Sequence, residues 1–397
     1  MGYKLRFFLF FVAMTLFNLA ANFAHPVTPT IIQDLGLPDY MFGLMLAAMQ
    51  ISNFLFSPFW GRLNGIISSR RTLLICCAGY GVAQLLFALS RTQLAILAVR
   101  VLAGFFVGGI FVSFLTYVIA RAKPEDQARF LTYSATVQAV SGAFGYLVGG
   151  ILGEFSIRGT FFLQAAVLTA AGVLFRFACE PDAAAGERPD MKALLRQSDP
   201  LRAFLDGRYF MTGAFVLLFA VNILMNLSNT GFDQVFNYYL KDQLGLTSSY
   251  NGVIKAAVGL VSFVSNMTLC LWIIRRTHVP RSLAFMALFC TVASVGALLI
   301  PQIGAYIACS VLVYAGYAVS LPLLQHMVAA QADPAQKNLV MGFYNATKSL
   351  GGIIGSLTAG FLYGLHVKLP FLTVAITYAA ATAVAMAYLF RGKRRGN

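Results

Sequence analysis

Charge is what this chain has least of. Of its 397 residues, 14 are acidic, four are histidine, and charged residues make up 11%. A water-soluble domain carries roughly a quarter charged residues, so an ordinary soluble fold is excluded. No Gly-x-x-x-x-Gly-Lys-Ser/Thr loop is present, which argues against nucleotide hydrolysis by this polypeptide. The six cysteines, Cys76, Cys77, Cys179, Cys270, Cys290 and Cys309, lie in or beside apolar stretches. They form neither a chelating spacing nor a disulfide framework and are expected to be small buried hydrophobes. No metal or cofactor is expected. An intramembrane enzyme would need a nucleophile and a base converging at one depth, and none is legible.

What remains is apolar. Hydrophobic residues make up 59% of the chain and its mean hydropathy is +0.74. Stretches long enough to cross a hydrocarbon core recur throughout. Twelve spans are predicted: 6–32, 40–60, 72–90, 93–120, 130–153, 158–178, 210–240, 249–274, 281–300, 303–330, 338–364 and 368–390. The first is too long for a signal peptide and lacks a small-residue cleavage site. The net charge of +15 does not call for a nucleic-acid partner, because the basic residues alternate between loops. With both termini inside, 22 of the 29 lie in inside segments, only Arg91, Arg158, Lys241 and Lys368 lie outside, and three lie within spans. This is the positive-inside pattern, and it predicts a multi-pass cell-membrane protein with cytoplasmic N- and C-termini.

The chain also repeats itself. Asp34-Leu35-Gly36-Leu37, closed by Gly43, returns as Gln243-Leu244-Gly245-Leu246, closed by Gly252, at an offset of 209. Pro124, Gly145 and Gly150 return as Pro334, Gly355 and Gly360 at an offset of 210. Two halves of six spans are therefore expected, 1–178 and 210–397, joined by a polar cytoplasmic linker at 179–209 with a possible surface helix around Met191–Leu205.

Local motifs agree. The loop after the second span reads Gly61-Arg62-Leu63-Asn64-Gly65-Ile66-Ile67-Ser68-Ser69-Arg70-Arg71. It is similar to the Gly-x-Leu-x-Asp-Arg-x-Gly-Arg-Arg signature of the major facilitator superfamily, which the chain resembles over nearly its whole length. Gly61, Leu63, Arg70 and Arg71 match, whereas Gly65 stands in the Asp position and Ser68 in that of the middle Gly. Arg62 lies beside Gly61, and Asn64 is a hydrogen-bonding substitute without charge. Arg100-Val101-Leu102-Ala103-Gly104 is similar to the Arg-x-x-x-Gly motif of drug/proton antiporters in that superfamily. Gly145-Tyr146-Leu147-Val148-Gly149-Gly150 is similar to their Gly-Pro-x-x-Gly-Gly motif, with Tyr146 replacing Pro. The resemblance implies an all-α integral membrane fold of twelve transmembrane helices in two pseudo-symmetric six-helix bundles. It implies alternating-access transport, not catalysis.

Ionisable groups within spans cost on the order of 2.5–3.5 kcal/mol each, so each needs a reason. His25, Arg100, Asp233, Lys255 and Lys348 are the candidates for substrate binding or proton coupling, with Gln234, Asn22, Asn226 and Asn345 beside or among them. His25 falls on Gln234 under the repeat, next to Asp233. In the family resembled, the first, fourth, seventh and tenth helices line the cavity, so His25 and Asp233 are expected to face it. His titrates near neutral pH and a desolvated Asp shifts toward it. Arg100 stays charged, and is expected to hold an acid, a substrate anion or backbone carbonyls. Lys255 on the eighth helix with Lys348 on the eleventh resembles the pairing in oxalate/formate-type exchangers, unless Lys255 snorkels outward. Asn18, Asn22, Asn222, Asn226 and Asn229 form stripes that suit either a water pathway or an interhelical network. Phe and Tyr are expected mostly at lipid-facing or interfacial positions, with Tyr238, Tyr239, Tyr314 and Tyr317 available for stacking.

Three fixed cations against one acid favour anions. The expected function is secondary active transport, proton-coupled, of an anionic or amphipathic metabolite or drug, by a monomer. The alternatives are proton-driven efflux of lipophilic cations and a non-transporting receptor or scaffold.

Overall fold

The computed structural model describes residues 2–180, 210–333 and 337–395, and among these no strand occurs. The predicted linker beyond Glu180, with its surface helix, lies outside them. The helices are α1 (Tyr3–Ala21), α2 (Thr28–Asp34), α3 (Met41–Ile67), α4 (Ser69–Leu89), α5 (Gln93–Arg121), α6 (Pro124–Phe155) and α7 (Ile157–Ala178). After the linker come α8 (Gly213–Asp242), α9 (Ser248–Ser265), α10 (Leu271–Arg276), α11 (Val279–Leu299), α12 (Ile303–Gln331), α13 (Lys337–Leu365) and α14 (Leu369–Arg395). A π-helical turn, Asn266–Cys270, joins α9 to α10.

Among the described residues, 11 helical passages are long and apolar enough to cross a membrane. A twelfth, α13, has 29 residues, but Lys348 and a run of glycines lower its hydropathy. The predicted all-helical membrane fold is therefore present. Two spans differ from expectation in being interrupted: the first breaks between α1 and α2, and the eighth carries the π turn.

Two compact units form. One takes in the chain through Leu37, from Ala48 to the end of α7, and Gly245–Gly259; the other takes in Pro38–Ala47, Phe210–Leu244 and the chain from Leu260 onward. The units thus interleave in sequence: the first turns of α3 belong to the second unit and most of α9 to the first.

The repeated residues account for this. Gly36 (φ 57°) and Gly245 (φ 61°) both take a left-handed backbone where α2 and α8 end. After Gly36 the chain closes as a Schellman turn, the Leu37 N–H donating to Ile32 O at 2.9 Å and the Gly36 N–H to Gln33 O at 3.0 Å. The other repeated glycines mark backbone crossings. Within the first unit Gly150 meets Gly252, where an added Cβ would sit 2.6 Å from Tyr146 O; within the second, Gly43 meets Gly360, where it would sit 2.6 Å from Tyr40 O. Backbones this close leave no room for a side chain.

Aromatic residues depart from expectation. Among the described residues 17 Phe and eight Tyr are buried, against nine Phe and two Tyr that are exposed. In the first unit Phe10 stacks on Tyr117 at 4.9 Å and Phe114 packs on Phe175 at 5.4 Å. Lipid tails are as apolar as Leu, so helices in a bilayer are held by close packing and not by escape from water; large flat side chains supply that contact area. At one end of this unit Glu180 pairs with both Arg6 and Arg121.

The α3–α4 connection shows how the altered signature folds. Asn64, 1% exposed, donates through Nδ2 to Ser69 Oγ at 3.2 Å and accepts from Ser113 Oγ at 3.3 Å, tying the loop to α5 with neutral hydrogen bonds. Gly61 has ordinary space around it. Ser68 has φ 80° and ψ 147°, a region nearly exclusive to glycine, and it stands where the signature has Gly. Its side chain makes no capping bond. Ser68→Gly is therefore expected to stabilise the protein by about 1 kcal/mol, roughly 2 °C in a thermal melt; an unchanged or lower melting temperature would show that the strain is absorbed elsewhere.

Candidate functional site

The first membrane passage breaks at a predictable place. Pro26 lacks an N–H and in a continuous helix its ring would clash with the Asn22 carbonyl, so α1 stops at Ala21 and α2 begins with Pro29 in its first turn. Through the break backbone bonds continue as turns, the Phe23 N–H donating to Ala20 O and the Thr28 N–H to Ala24 O, each at 3.0 Å, and side chains add to them. Gln164 of α7, fully buried, donates through Nε2 to Ala20 O at 2.9 Å. Asn22 Nδ2 folds back onto Asn18 O at 2.8 Å, and Thr28 Oγ1 donates to Ala24 O at 2.7 Å. The segment that carries His25 is therefore tied to α7 by Gln164 and braced locally by Asn22 and Thr28.

His25 lies flat on Tyr146 of α6, with ring centroids 5.2 Å apart and planes inclined by 10°. On the same ring sits Lys255 of α9, its Nζ 5.6 Å from the centroid and the residue only 5% exposed. Lys255 does not snorkel to water; it is held inside the first unit. The arrangement follows from the glycines. Gly252, one turn before Lys255, meets the Tyr146 carbonyl, while Gly145 and Gly149 lie directly on the backbone of Leu19 and Phe23 in and after α1. Tyr146, visible in the sequence only as the residue replacing a proline, links His25 and Lys255. Lys255 and His25 thus share one aromatic neighbour, and the aromatic contact offsets about 2 kcal/mol of the cost of burying the ammonium.

In the second unit Asp233 Oδ1 accepts a hydrogen bond from Tyr314 Oη of α12 at 2.9 Å. Gln234 follows it, partly buried. One face away, Asn222 Nδ2 donates to Tyr344 O at 2.8 Å and to Thr347 Oγ1 at 2.9 Å. Asn226 donates to Asn222 O at 2.8 Å and accepts from Tyr317 Oη at 2.7 Å. Asn222 and Asn226 thus belong to a buried network joining α8, α12 and α13, the structural one of the two roles weighed for that stripe. Tyr314 and Tyr317 gain roles that the sequence left general.

Lys348 and Asn345 are exposed near the middle of α13. At 100° per residue they lie roughly opposite the lipid-type stripe of Leu350, Ile354, Phe361 and Leu365, which is also exposed. One helix therefore presents an apolar face and, across its axis, a cationic one.

Arg100 is buried in the first unit with its Cζ 3.8 Å from the centroid of Phe87. Phe87 packs on Phe161 at 5.3 Å, and Gln84, one turn away, donates to Tyr80 Oη at 3.1 Å. Arg100 therefore has an aromatic neighbour, whereas an acid, a substrate anion or backbone carbonyls were expected.

Polar groups seated singly on apolar helices, in a chain of membrane passages that repeats at its midpoint, define a membrane transporter. The chain belongs to the Major Facilitator Superfamily, whose profile matches residues 7–314 and 281–396; that family consists of transporters, not enzymes. Multidrug resistance protein 1 of Bacillus subtilis strain 168 is 22% identical, with 91% of each chain covered. Among solved structures, a bacterial homologue of the human lysosomal transporter Spinster superposes with a TM-score of 0.79 at 13% identity, covering 97% of this chain and 96% of that one. The human organic anion transporter MFSD10 superposes at 0.68 with 17% identity, covering 97% and 100%.

Gln164→Leu keeps the volume and removes the donor at the helix break. It is expected to cost about 1 kcal/mol in stability, read as a lower melting temperature in detergent; an unchanged melt would mean that the bond adds nothing to the one Ala20 O already accepts from the Phe23 N–H.

Proposed function

We propose that this transporter moves an anionic or amphipathic organic solute across the cell membrane, coupled to protons, acting as a monomer with both termini cytoplasmic. The observation that carries the reading is Lys255, buried on the Tyr146 ring that also stacks on His25. An ammonium in the bilayer interior that shares a ring with an imidazole suits a ligand of opposite sign. Lys348, exposed opposite the lipid stripe of α13, supports the same sign of ligand. Asp233 is the acid available to exchange protons, and the Tyr314 hydroxyl orients it. The orientation rests on the distribution of basic residues.

A second reading has its own support. The similar Bacillus subtilis protein is named for multidrug resistance, and a proton-driven efflux antiporter for lipophilic cations would use Asp233 as the cation's counter-ion.

Transport into proteoliposomes under an imposed pH gradient, with matched anionic, cationic and neutral compounds, separates the two. Lys255→Gln is expected to lower anion transport about tenfold and leave neutral compounds little changed, with Lys348→Ala acting in the same direction. Asp233→Asn is expected to yield a folded protein that no longer responds to the gradient. Preference for cations, abolished by Asp233→Asn and indifferent to Lys255→Gln, would establish the efflux reading. Unaltered pH-driven transport in Asp233→Asn would remove that residue from the mechanism.

A further inference from the structure

We propose that the groove between α10 and α11 is a binding site for an anionic phospholipid. The groove encloses about 330 Å³ within the second unit. Ile273 and Met286, 3% and 8% exposed, form its floor, and Trp272 and Phe285, 57% and 61% exposed, form its walls. In a chain that crosses the bilayer, walls so apolar and so exposed face acyl chains. Tryptophan at the end of a span sits at headgroup level, which sets the depth of the mouth.

The mouth is cationic. Arg281 and Ser282 line it, and Arg275 and Arg276, both exposed, end the adjoining helix. Ser282 Oγ and Thr277 Oγ1 lie 2.9 Å apart in a hydrogen bond that holds the short α10–α11 connection in shape. No acidic residue occurs in the sequence between Asp242 and Asp333. Among the described residues, none of the three arginines has an ion pair. The Arg281 guanidinium at the mouth of an apolar slot, with two further arginines ending the adjoining helix, matches a phosphate whose charge is not cancelled by its own headgroup, with an acyl chain below it. With cytoplasmic termini, the lipid would come from the inner leaflet; the site itself is independent of the transported solute.

The test uses the full chain in neutral detergent, titrated with phosphatidylglycerol, phosphatidylcholine or inorganic phosphate, and followed by thermal shift and by lipid retention in native mass spectrometry. Phosphatidylglycerol is expected to be retained and to raise the melting temperature, with little effect from the other two. Arg281→Gln is expected to weaken phosphatidylglycerol binding about fivefold, and Arg275→Gln with Arg276→Gln about 25-fold. Arg281→Lys should keep most of it, and Arg91→Gln, in another loop, should keep all of it. Because Arg275 and Arg276 are exposed, their double variant tests the site even if Arg281→Gln fails to fold. Equal stabilisation by phosphatidylcholine would reduce the groove to ordinary lipid contact. An equal effect of phosphate alone would make it an ion site, and unchanged affinity in the arginine variants would overturn the proposal.

Discussion

A backbone carbonyl in hydrocarbon has no water to bond to, and most of this structure answers that constraint. It dictates helices almost everywhere among the described residues, and it makes the break between α1 and α2 a place where side chains add hydrogen bonds. Gln164, Asn22 and Thr28 do so. The break in turn brings His25 to a fixed position on Tyr146. The polar site of the first unit is thus a consequence of how an interrupted helix is satisfied. In carriers built from discontinuous helices, such breaks often coincide with binding positions.

A second constraint is proximity. With no hydrophobic driving force between helices inside the bilayer, packing must come from close backbone approach and from broad contact surfaces. The chain meets the first need with glycines at repeated positions and the second with buried Phe and Tyr. The two cooperate at the candidate site, where the crossing at Gly252 brings Lys255 over the Tyr146 ring. Ser68 is the local exception, a side chain kept on backbone that favours glycine, and the neutral bonds of Asn64 stabilise the surrounding loop where the family signature has a carboxylate.

Much of the fold was legible because membrane burial imposes strong periodicity: long apolar runs, alternating basic loops and a midpoint repeat. The site was legible only in part. His25, Asp233, Lys255 and Lys348 stand out because a charge in a span is rare. Tyr146, Tyr314 and Tyr317 do not, since Phe and Tyr occur throughout and nothing local separates a tyrosine that touches a lysine from one that fills a core. The expectation that aromatics would mostly face lipid misjudged where packing area is needed.

The sequence by itself determined the membrane setting, the helical class, the repeat and the short list of costly charges, because each follows from composition and spacing along one dimension. Only the tertiary structure decided which partner each charge has. Arg100 lies on Phe87, Lys255 on Tyr146 and Asp233 against Tyr314, contacts between residues 13, 109 and 81 positions apart in the chain. Whether a buried cation meets an acid, a carbonyl or a ring depends on helix rotation and crossing distance, and neither is written in local sequence.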